Sequence, residues 1–281
     1  MSSASIIISN EELEKLKAYI LRTNIKRVKP SNDFELLRIK EGQVSIIVYK
    51  SNKIVHNGSE ASLKILHEIL TRDEQFDYIL GSDETGKGEW FGPLVITATA
   101  LTPEQIIELR KIGVRDSKTI KKAELIKLAE QLFKMDFARF TIALTPEKYN
   151  QMYADFEKEG KSLNDMLAWA HSAVIKAMLK YVQAKKIKVV IDKFDFEKTE
   201  FRLENVDRTN VEIIQKSKGE SEIPVAAASI IAKHKFETEV DKLNEKYGID
   251  LRTAQPKDID RSILQFVAKL HFKNVNGSSK K

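Results

Sequence analysis

Residues 78–101 read YILGSDETGKGEWFGPLVITATAL, and this stretch decides the fold. An apolar strand ends in two adjacent carboxylates, Asp83 and Glu84, and a Gly-Lys-Gly turn and a second apolar strand follow. In parallel α/β sheets, ligands bind beyond the carboxyl ends of the strands, so these two carboxylates lie where a functional site is expected. The alternative is that both side chains only cap the end of the strand and are exposed to solvent there, without a functional role.

The chain after residue 76 alternates between strand patterns and helix patterns. Such a succession predicts an α/β fold with a mixed central sheet, partly parallel and flanked by helices. The predicted strands are 78–84, 93–101, 137–144, 188–194 and 211–217, and the predicted helices are 103–111, 120–134, 162–185, 223–247 and 258–270.

The first 72 residues have a different pattern, which predicts a small α+β domain. An amphipathic helix at 10–29 precedes three short strands at 34–40, 43–50 and 51–58, and a second helix at 60–71 follows. The polar stretch 71–77 has the composition of a connector. We therefore predict one domain at 1–72, a second at 76–273, and a flexible tail at 274–281.

The composition excludes several classes of protein. The 281 residues include no Cys, which excludes disulfide scaffolds and sites built on thiolates. We expect a cytoplasmic protein, because no apolar stretch approaches the roughly 18 residues that cross a bilayer and the N-terminus lacks a basic signal region. The net charge is +6, and residues 1–72, with twelve basic and eight acidic side chains, contribute +4 of it. This excess favours a polyanionic partner.

The turn after the two carboxylates also resembles a phosphate-binding loop. Gly81 and Gly86-Lys87 match the pattern G-x-x-x-x-G-K, but Gly88 stands where Ser or Thr would bind Mg²⁺. Pro93 follows too soon for the long helix whose N-terminus such a loop requires. The residues therefore argue against an ATPase.

A divalent-metal site explains the carboxylates better. Asp192 ends the apolar run KVVID, so a parallel strand beside 78–84 would bring it close to Asp83. Asp195 lies beyond the run and is a weaker candidate. Hydrolysis of a phosphodiester by two metal ions needs about four carboxylates. The residues alone do not choose a fourth among Glu237, Glu239 and Asp241 on the helix 223–247.

Four sequence blocks resemble the type 2 ribonuclease H family. These blocks are GSDETGKGEWFGPL, GVRDSK at 113–118, the strand-end Asp192, and PVAAASIIAKHKFE at 224–237. They occur in the family's order over roughly residues 78–245. The ribonuclease HIII branch is especially similar, because Glu follows the Ala-rich helix, because KYN (148–150) and LNDMLAWAH (163–171) are present, and because a small domain precedes the catalytic one.

The resemblance implies a ribonuclease H-like catalytic domain and a set of site residues. Asp83, Glu84, Asp192 and Glu237 would be the catalytic residues and would bind two Mg²⁺ or Mn²⁺ ions. The turn Gly86-Lys87-Gly88 would approach the ribose 2′-hydroxyls, which distinguish RNA from DNA. Further substrate contacts are implied for Ser117, Lys118, Asn164 and Lys218, the last within a Lys218-Gly219-Glu220 block near the phosphate path. We expect His171 to be a packed histidine and leave it out of the site.

The N-terminal helix–meander–helix is similar to half of a TATA-binding-protein repeat. We expect this domain to bind an RNA/DNA hybrid through phosphates, with a positive surface on Lys26, Arg27, Lys29, Arg38, Lys40, Lys50 and Lys53. The whole chain is then expected to be a monomeric endonuclease that cuts the RNA strand of hybrids. The alternatives are ribonuclease HII-type incision at single ribonucleotides in DNA and a non-catalytic hybrid-binding module.

Overall fold

The computed structural model describes residues 4–70, 76–114, 120–192, 195–216, 219 and 222–277. The chain divides into two compact units. The first contains residues 1–75 and 103–114, and the second contains residues 76–102 and 115–281. The chain therefore leaves the second unit once, contributes one helix to the first unit, and returns.

The first unit is a five-stranded antiparallel sheet with helices. Its strands pair in the order β1-β5-β4-β3-β2. A core of apolar side chains, among them Leu16, Ile39 and Ile46, is buried in this unit. The elements are β1 (Ala4–Ile7), α1 (Asn10–Thr23), β2 (Arg27–Val28), β3 (Glu35–Glu41), β4 (Val44–Tyr49), β5 (Lys53–His56), α2 (Glu60–Leu70) and α3 (Pro103–Lys111).

Three features of the first unit differ from the sequence predictions. Strands β1 and β2 were not predicted. Helix α1 ends at Thr23 rather than at 29, because Asn24 adopts a left-handed conformation with φ 54° that terminates the helix. Helix α3 was predicted in the second domain, but Ile107 lies in the core of the first unit and Arg110 forms a 2.5 Å ion pair with the buried Glu12.

The second unit is built on a mixed five-stranded sheet of order β10-β9-β6-β7-β8. Strands β10, β9 and β6 are parallel, and β6, β7 and β8 are antiparallel. The predicted α/β fold class is confirmed. The elements are β6 (Tyr78–Thr85), β7 (Leu94–Leu101), α4 (Lys122–Lys134), β8 (Ala138–Leu144), α5 (Pro146–Lys158), α6 (Leu163–Tyr181), β9 (Ile187–Asp192), α7 (Phe196–Leu203), β10 (Val211–Lys216), α8 (Ile223–Tyr247), a 3-10 turn (Pro256–Asp258), α9 (Arg261–Val267) and α10 (Lys273–Asn276).

Helices α6 and α8 pack against β6. Gly81 lies on β6, and its lack of a side chain allows α8 to approach the strand closely. A Cβ atom on Gly81 would lie 2.2 Å from the backbone nitrogen of Val225. The alanine run at 226–228 is fully buried, as its small side chains predict. The predicted tail at 274–281 is partly helical, because α10 includes residues 273–276.

Candidate active site

The register of two parallel strands brings the first two acidic positions to the same edge of the sheet. Strand β6 pairs with β9 up to Ser82 and Ile191, and Asp83 and Asp192 are the next residues of each strand. Strands β6 and β9 run in the same direction, so their carboxyl ends meet at this edge. The predicted proximity of these two backbone positions is therefore found.

Asp83 faces α8, because side chains alternate along a strand and Gly81, two residues earlier, packs against that helix. Its Oδ1 accepts a 2.9 Å hydrogen bond from the backbone N–H of Glu84, and Ser229 of α8 also hydrogen-bonds its side chain. Burial, together with the neighbouring charge of Glu84, raises the pKa of Asp83 to about 7. A bound cation would offset both of these effects.

Glu84 faces the other side of β6, where α6 packs. Its Oε2 lies 3.1 Å from Nε2 of His171, and its Oε1 lies 3.8 Å from Nζ of Lys87. Burial alone would raise the pKa of Glu84, but the hydrogen bond and charge of His171, together with Lys87, outweigh burial and lower it. Glu84 is therefore a buried carboxylate that its neighbours keep ionised.

His171 supports the site in a way that the sequence analysis missed. The side chain is fully buried, as expected of a packed histidine. Both ring nitrogens nevertheless have partners on β6, with Nδ1 3.0 Å from Oγ of Ser82 and Nε2 bonded to Glu84. The available signal was the block LNDMLAWAH, which ends on this residue.

Asp192 is oriented by the backbone of Gly219. The N–H of Gly219 donates a 2.9 Å hydrogen bond to Oδ1 of Asp192. A Cβ atom on Gly219 would lie 2.9 Å from the Cα atom of Asp192, so this close approach requires glycine. Three other predicted substrate contacts, Ser117, Lys118 and Lys218, lie outside the described residues.

The turn after β6 contains one glycine that is closely packed, Gly86, and one with open space beside it, Gly88. Gly86 has φ +93°, and a Cβ atom there would lie 2.2 Å from the carbonyl oxygen of Pro93. A Cβ atom on Gly88 would have no neighbour within 4 Å. Lys87, between them, is partly exposed. The backbone at Gly88 is therefore accessible to a ligand.

Glu237, the fourth predicted carboxylate, lies on α8 directly after Phe236, whose ring lies against Gly86 in the turn after β6. It follows Ser229 by eight residues on α8, which is about 12 Å along the helix axis. Its Oε2 forms ion pairs with Lys122, at 3.0 Å, and with Arg252. Asn164, another predicted site residue, donates a 3.2 Å hydrogen bond to Asp195 and so links α6 to the start of α7.

The donor set at the strand ends fits a hard divalent cation. Asp83, Glu84 and Asp192 supply carboxylate oxygens, which Mg²⁺ and Mn²⁺ prefer. Within the described parts of the chain, no three His, Asp or Glu side chains form a ready-made metal-binding group. A bound ion would draw these carboxylates closer together.

Comparisons with known proteins show the family to which the chain is similar. The sequence model of the ribonuclease HII family matches residues 80–275. Ribonuclease HIII of Chlamydia caviae is 31% identical over 268 aligned residues, which cover 86% of this chain and 87% of the relative. Ribonuclease HIII of Oceanobacillus iheyensis is 27% identical, covering 100% of this chain and 99% of the relative.

A solved structure, Bst-RNase HIII in complex with Mn²⁺, has a similar fold. It superposes with a TM-score of 0.63 at 22% identity and covers 98% of this chain and 97% of its own. No helix among the described residues is long and apolar enough to span a membrane. The family match and the relatives together show that the chain belongs to the ribonuclease HII family, the type 2 ribonucleases H, as an endoribonuclease of the ribonuclease HIII type.

Proposed function

We propose that the protein hydrolyses the RNA strand of RNA/DNA hybrids with two Mg²⁺ or Mn²⁺ ions bound at the ends of β6 and β9. The observation that carries the proposal is the register of these parallel strands, which makes Asp83 and Asp192 neighbours. Glu84 adds a third carboxylate from the same strand end. The Mn²⁺ complex of the structural neighbour is consistent with this choice of metal.

The residues around the carboxylates orient them for metal binding. Ser229 and the Glu84 N–H hydrogen-bond Asp83, His171 hydrogen-bonds Glu84, and Gly219 hydrogen-bonds Asp192. Partners of this kind fix the ligands before the metal arrives. When bound, the two ions would supply a nucleophilic hydroxide and stabilise the leaving 3′ oxygen, which yields 5′-phosphate and 3′-hydroxyl ends.

The turn Gly86-Lys87-Gly88 is the proposed contact to the RNA strand. The open space at Gly88 supports it, because a ribose 2′-hydroxyl can reach backbone that no side chain covers. Lys87 adds a positive charge beside the phosphates. From the sequence blocks alone, Ser117 and Lys118 are proposed phosphate contacts, and Asn164 and Lys218 are proposed as further substrate contacts.

The proposed fourth carboxylate of the metal site is Glu237. Glu237 is the residue that the sequence resemblance suggests, but Lys122 and Arg252 already neutralise it. Glu239, on the same helix, is another acidic residue, and the residues alone do not choose between them. Glu237→Gln and Glu239→Gln are the matched pair of variants that decide between the two. The fourth ligand is the one whose loss abolishes cleavage while hybrid binding is preserved.

The first unit is proposed to bind the hybrid through phosphates. Six of the seven predicted basic residues are exposed: Lys26, Arg27, Lys29, Lys40, Lys50 and Lys53. Arg38 differs, because its guanidinium donates 2.6 Å and 2.9 Å hydrogen bonds to Glu35. The hydrogen bonds from Arg38, together with those from Ser31, lower the pKa of Glu35 to about 2. Arg38 is therefore committed to this pair and less available for a phosphate.

The test compares cleavage of three labelled duplexes: an RNA/DNA hybrid, a DNA duplex with one ribonucleotide, and DNA alone. Each is incubated with Mg²⁺, Mn²⁺ or chelator. We expect metal-dependent cutting of the hybrid, and no cutting by Asp83→Asn or Asp192→Asn, which should still fold and bind hybrid. Asp241→Asn, an exposed carboxylate of α8, is the control and should remain active.

The other outcomes identify the alternatives. Efficient incision at the single ribonucleotide would assign ribonuclease HII-type activity instead. Hybrid binding without cutting in any metal would leave a non-catalytic binding module. Cleavage by Asp83→Asn or Asp192→Asn at the wild-type rate would contradict the metal site.

A further inference from the structure

The loop 86–92, which begins with the proposed substrate-binding turn, is fixed on one side by α8. Gly86 and Gly92 both have positive φ, at +93° and +68°. A Cβ atom on either would lie within about 3 Å of the ring of Phe236 on α8. The two glycines thus allow the loop to lie against this ring.

The other side of the loop is bound by the segment 267–269, in which the Val267 carbonyl accepts a 2.9 Å hydrogen bond from the N–H of Gly92 and Lys269 makes the remaining hydrogen bonds. The backbone N–H of Lys269 donates to the carbonyl of Trp90 over 2.7 Å. Its Nζ donates to the carbonyls of Glu89 and Phe91 over 3.0 Å and 2.9 Å. Three consecutive carbonyls of the loop therefore accept hydrogen bonds from one side chain and its own backbone.

The environment of this ammonium group is unusual for a lysine. Lys269 is fully buried, and its Nζ lies 5.6 Å from the centre of the Tyr149 ring. In the part of the chain that the structure describes, no carboxylate forms an ion pair with it. Burial lowers the pKa of Lys269 to about 7, although Glu89 acts in the opposite direction. A lysine is seldom buried in this way unless its donors are needed.

Asn150 of α5 fixes the segment that carries Lys269. Its Nδ2 donates to the carbonyls of Gln265 and Ala268 over 3.1 Å and 2.9 Å, and its Oδ1 accepts from the N–H of Leu270 over 2.9 Å. The amide thus uses both its donor group and its acceptor on the same segment. Tyr149 and Asn150 belong to the KYN block of the sequence, to which the proposed chemistry gives no role.

We propose that Lys269 is a positioning residue for the substrate-binding turn 86–88, and that Asn150 keeps Lys269 in place. The inference rests on the proposed function, because it assigns the turn to the RNA strand. Lys269 touches neither the carboxylates nor the substrate. Its side chain acts through the carbonyls at 89 and 91, and loss of this side chain leaves those two carbonyls unsatisfied and loosens the loop around Trp90.

The kinetic test compares hybrid cleavage by the full chain, Lys269→Met and Lys273→Met. Lys273→Met is the matched control, because Lys273 is an exposed lysine four residues later. We expect Lys269→Met to raise KM at least about fivefold while kcat changes less than about twofold, since binding is impaired and the metal ligands are not. The control should leave both constants unchanged. Asn150→Asp removes both amide donors, and we expect it also to raise KM with little change in kcat. This variant provides the test if Lys269→Met does not fold.

The second readout is the fluorescence of Trp90, which lies in the loop. Trp90 and Trp169 are the two tryptophans of the chain, so Trp169→Phe isolates its emission. We expect Lys269→Met to shift the Trp90 emission to the red and to increase its quenching by acrylamide, well below the unfolding temperature. An unchanged emission overturns the proposal, and so does a shifted emission with unchanged KM. If the wild-type chain cuts no hybrid, the proposed function itself has failed. This result can be told apart from the two outcomes that overturn only the role of Lys269.

Discussion

Asp83 and Glu84 are neighbours in sequence, but the alternation of β6 gives each its own partners on opposite faces of the sheet. This makes His171 a positioning residue for Glu84. We expect His171→Phe, which preserves the ring volume and removes both nitrogens, to raise the metal concentration for half-maximal cleavage about 10–100-fold. Activity should recover at high Mg²⁺ or Mn²⁺.

The measurement is a metal titration of hybrid cleavage at saturating substrate. Ser172→Ala is the control, because among the described residues the Ser172 hydroxyl bonds to its own helix alone, at the carbonyl of Trp169. An unchanged metal requirement in His171→Phe would show that the Glu84 hydrogen bond is not needed for metal binding.

The two glycines of the turn 86–88 are expected to respond differently to alanine. Gly86→Ala places a Cβ atom against the Pro93 carbonyl at a positive φ, so we expect it to lower the free energy of unfolding by about 2–4 kcal/mol. In Gly88→Ala the added Cβ atom has no neighbour within 4 Å, so stability should be unchanged. The methyl group should nevertheless raise KM for the hybrid, because it covers the accessible backbone. Urea unfolding and steady-state kinetics check both expectations, and an unchanged KM in Gly88→Ala would argue against close backbone contact.

The buried Lys269 makes stability depend on pH. Its pKa in the folded protein, about 7, is below the ordinary 10.5, so the unfolded chain binds more protons between these values. Stability from this group therefore rises with pH across that window. We expect the difference in unfolding free energy between wild type and Lys269→Met to grow in favour of wild type from pH 7 to pH 9. Urea unfolding at both pH values measures this difference. A difference that does not change with pH would contradict the inference that burial lowers the pKa of Lys269.

At this scale the sequence predicts positions but not partners. Asp83, Glu84 and Asp192 could be predicted because a carboxylate after an apolar strand has one expected location. His171 could not, because helical spacing shows that a histidine is buried but not what its nitrogens contact. The ion pairs of Glu237 join α8 to Lys122 and Arg252, which are far apart in sequence, and no local pattern reports such contacts.

At the scale of elements, the contact between α8 and β6 depends on the absence of one side chain. A Cβ atom on Gly81 would lie 2.2 Å from Val225 N and 2.4 Å from the carbonyl carbon of Pro224, which are backbone atoms that cannot rotate away. We expect Gly81→Ala to cost about 3 kcal/mol or more, or to prevent folding. Thermal unfolding measures the loss, with Gly88→Ala as control, and a melting temperature within a few degrees of wild type would contradict it.

The strength of the local pattern explains which elements the sequence predicts. Helices α3 and α8 were predicted with the bounds found, because each shows a clear start and end. Helices α5 and α7 were missed, since both follow strands closely and carry many charged residues. Strand β1 was missed because the four residues 4–7 gain their structure by pairing with β5, which lies far along the chain.

At the scale of the whole molecule, the position of α3 changes how the first unit must be tested. Deletion of residues 1–72 would remove the core that buries Ile107 and the carboxylate that pairs with Arg110. A truncated chain would therefore expose apolar surface on α3. Substitution of surface charges tests the binding role of the unit without this damage.

Lys40 and Lys53 are the most informative of these charges, because they are exposed on strands β3 and β5 and alternate with the core residues Ile39 and Ile54. If they contact phosphates, the double variant Lys40→Gln/Lys53→Gln should raise KM for the hybrid with little change in kcat. The slope of log affinity against log salt should become shallower by up to about 0.9 per lost contact. Lys17→Gln/Lys64→Gln removes the same charge from helices α1 and α2, so it controls for net charge alone. Equal salt slopes in the two double variants would show that the first unit contributes only a general positive field, and that specific recognition resides in the second unit.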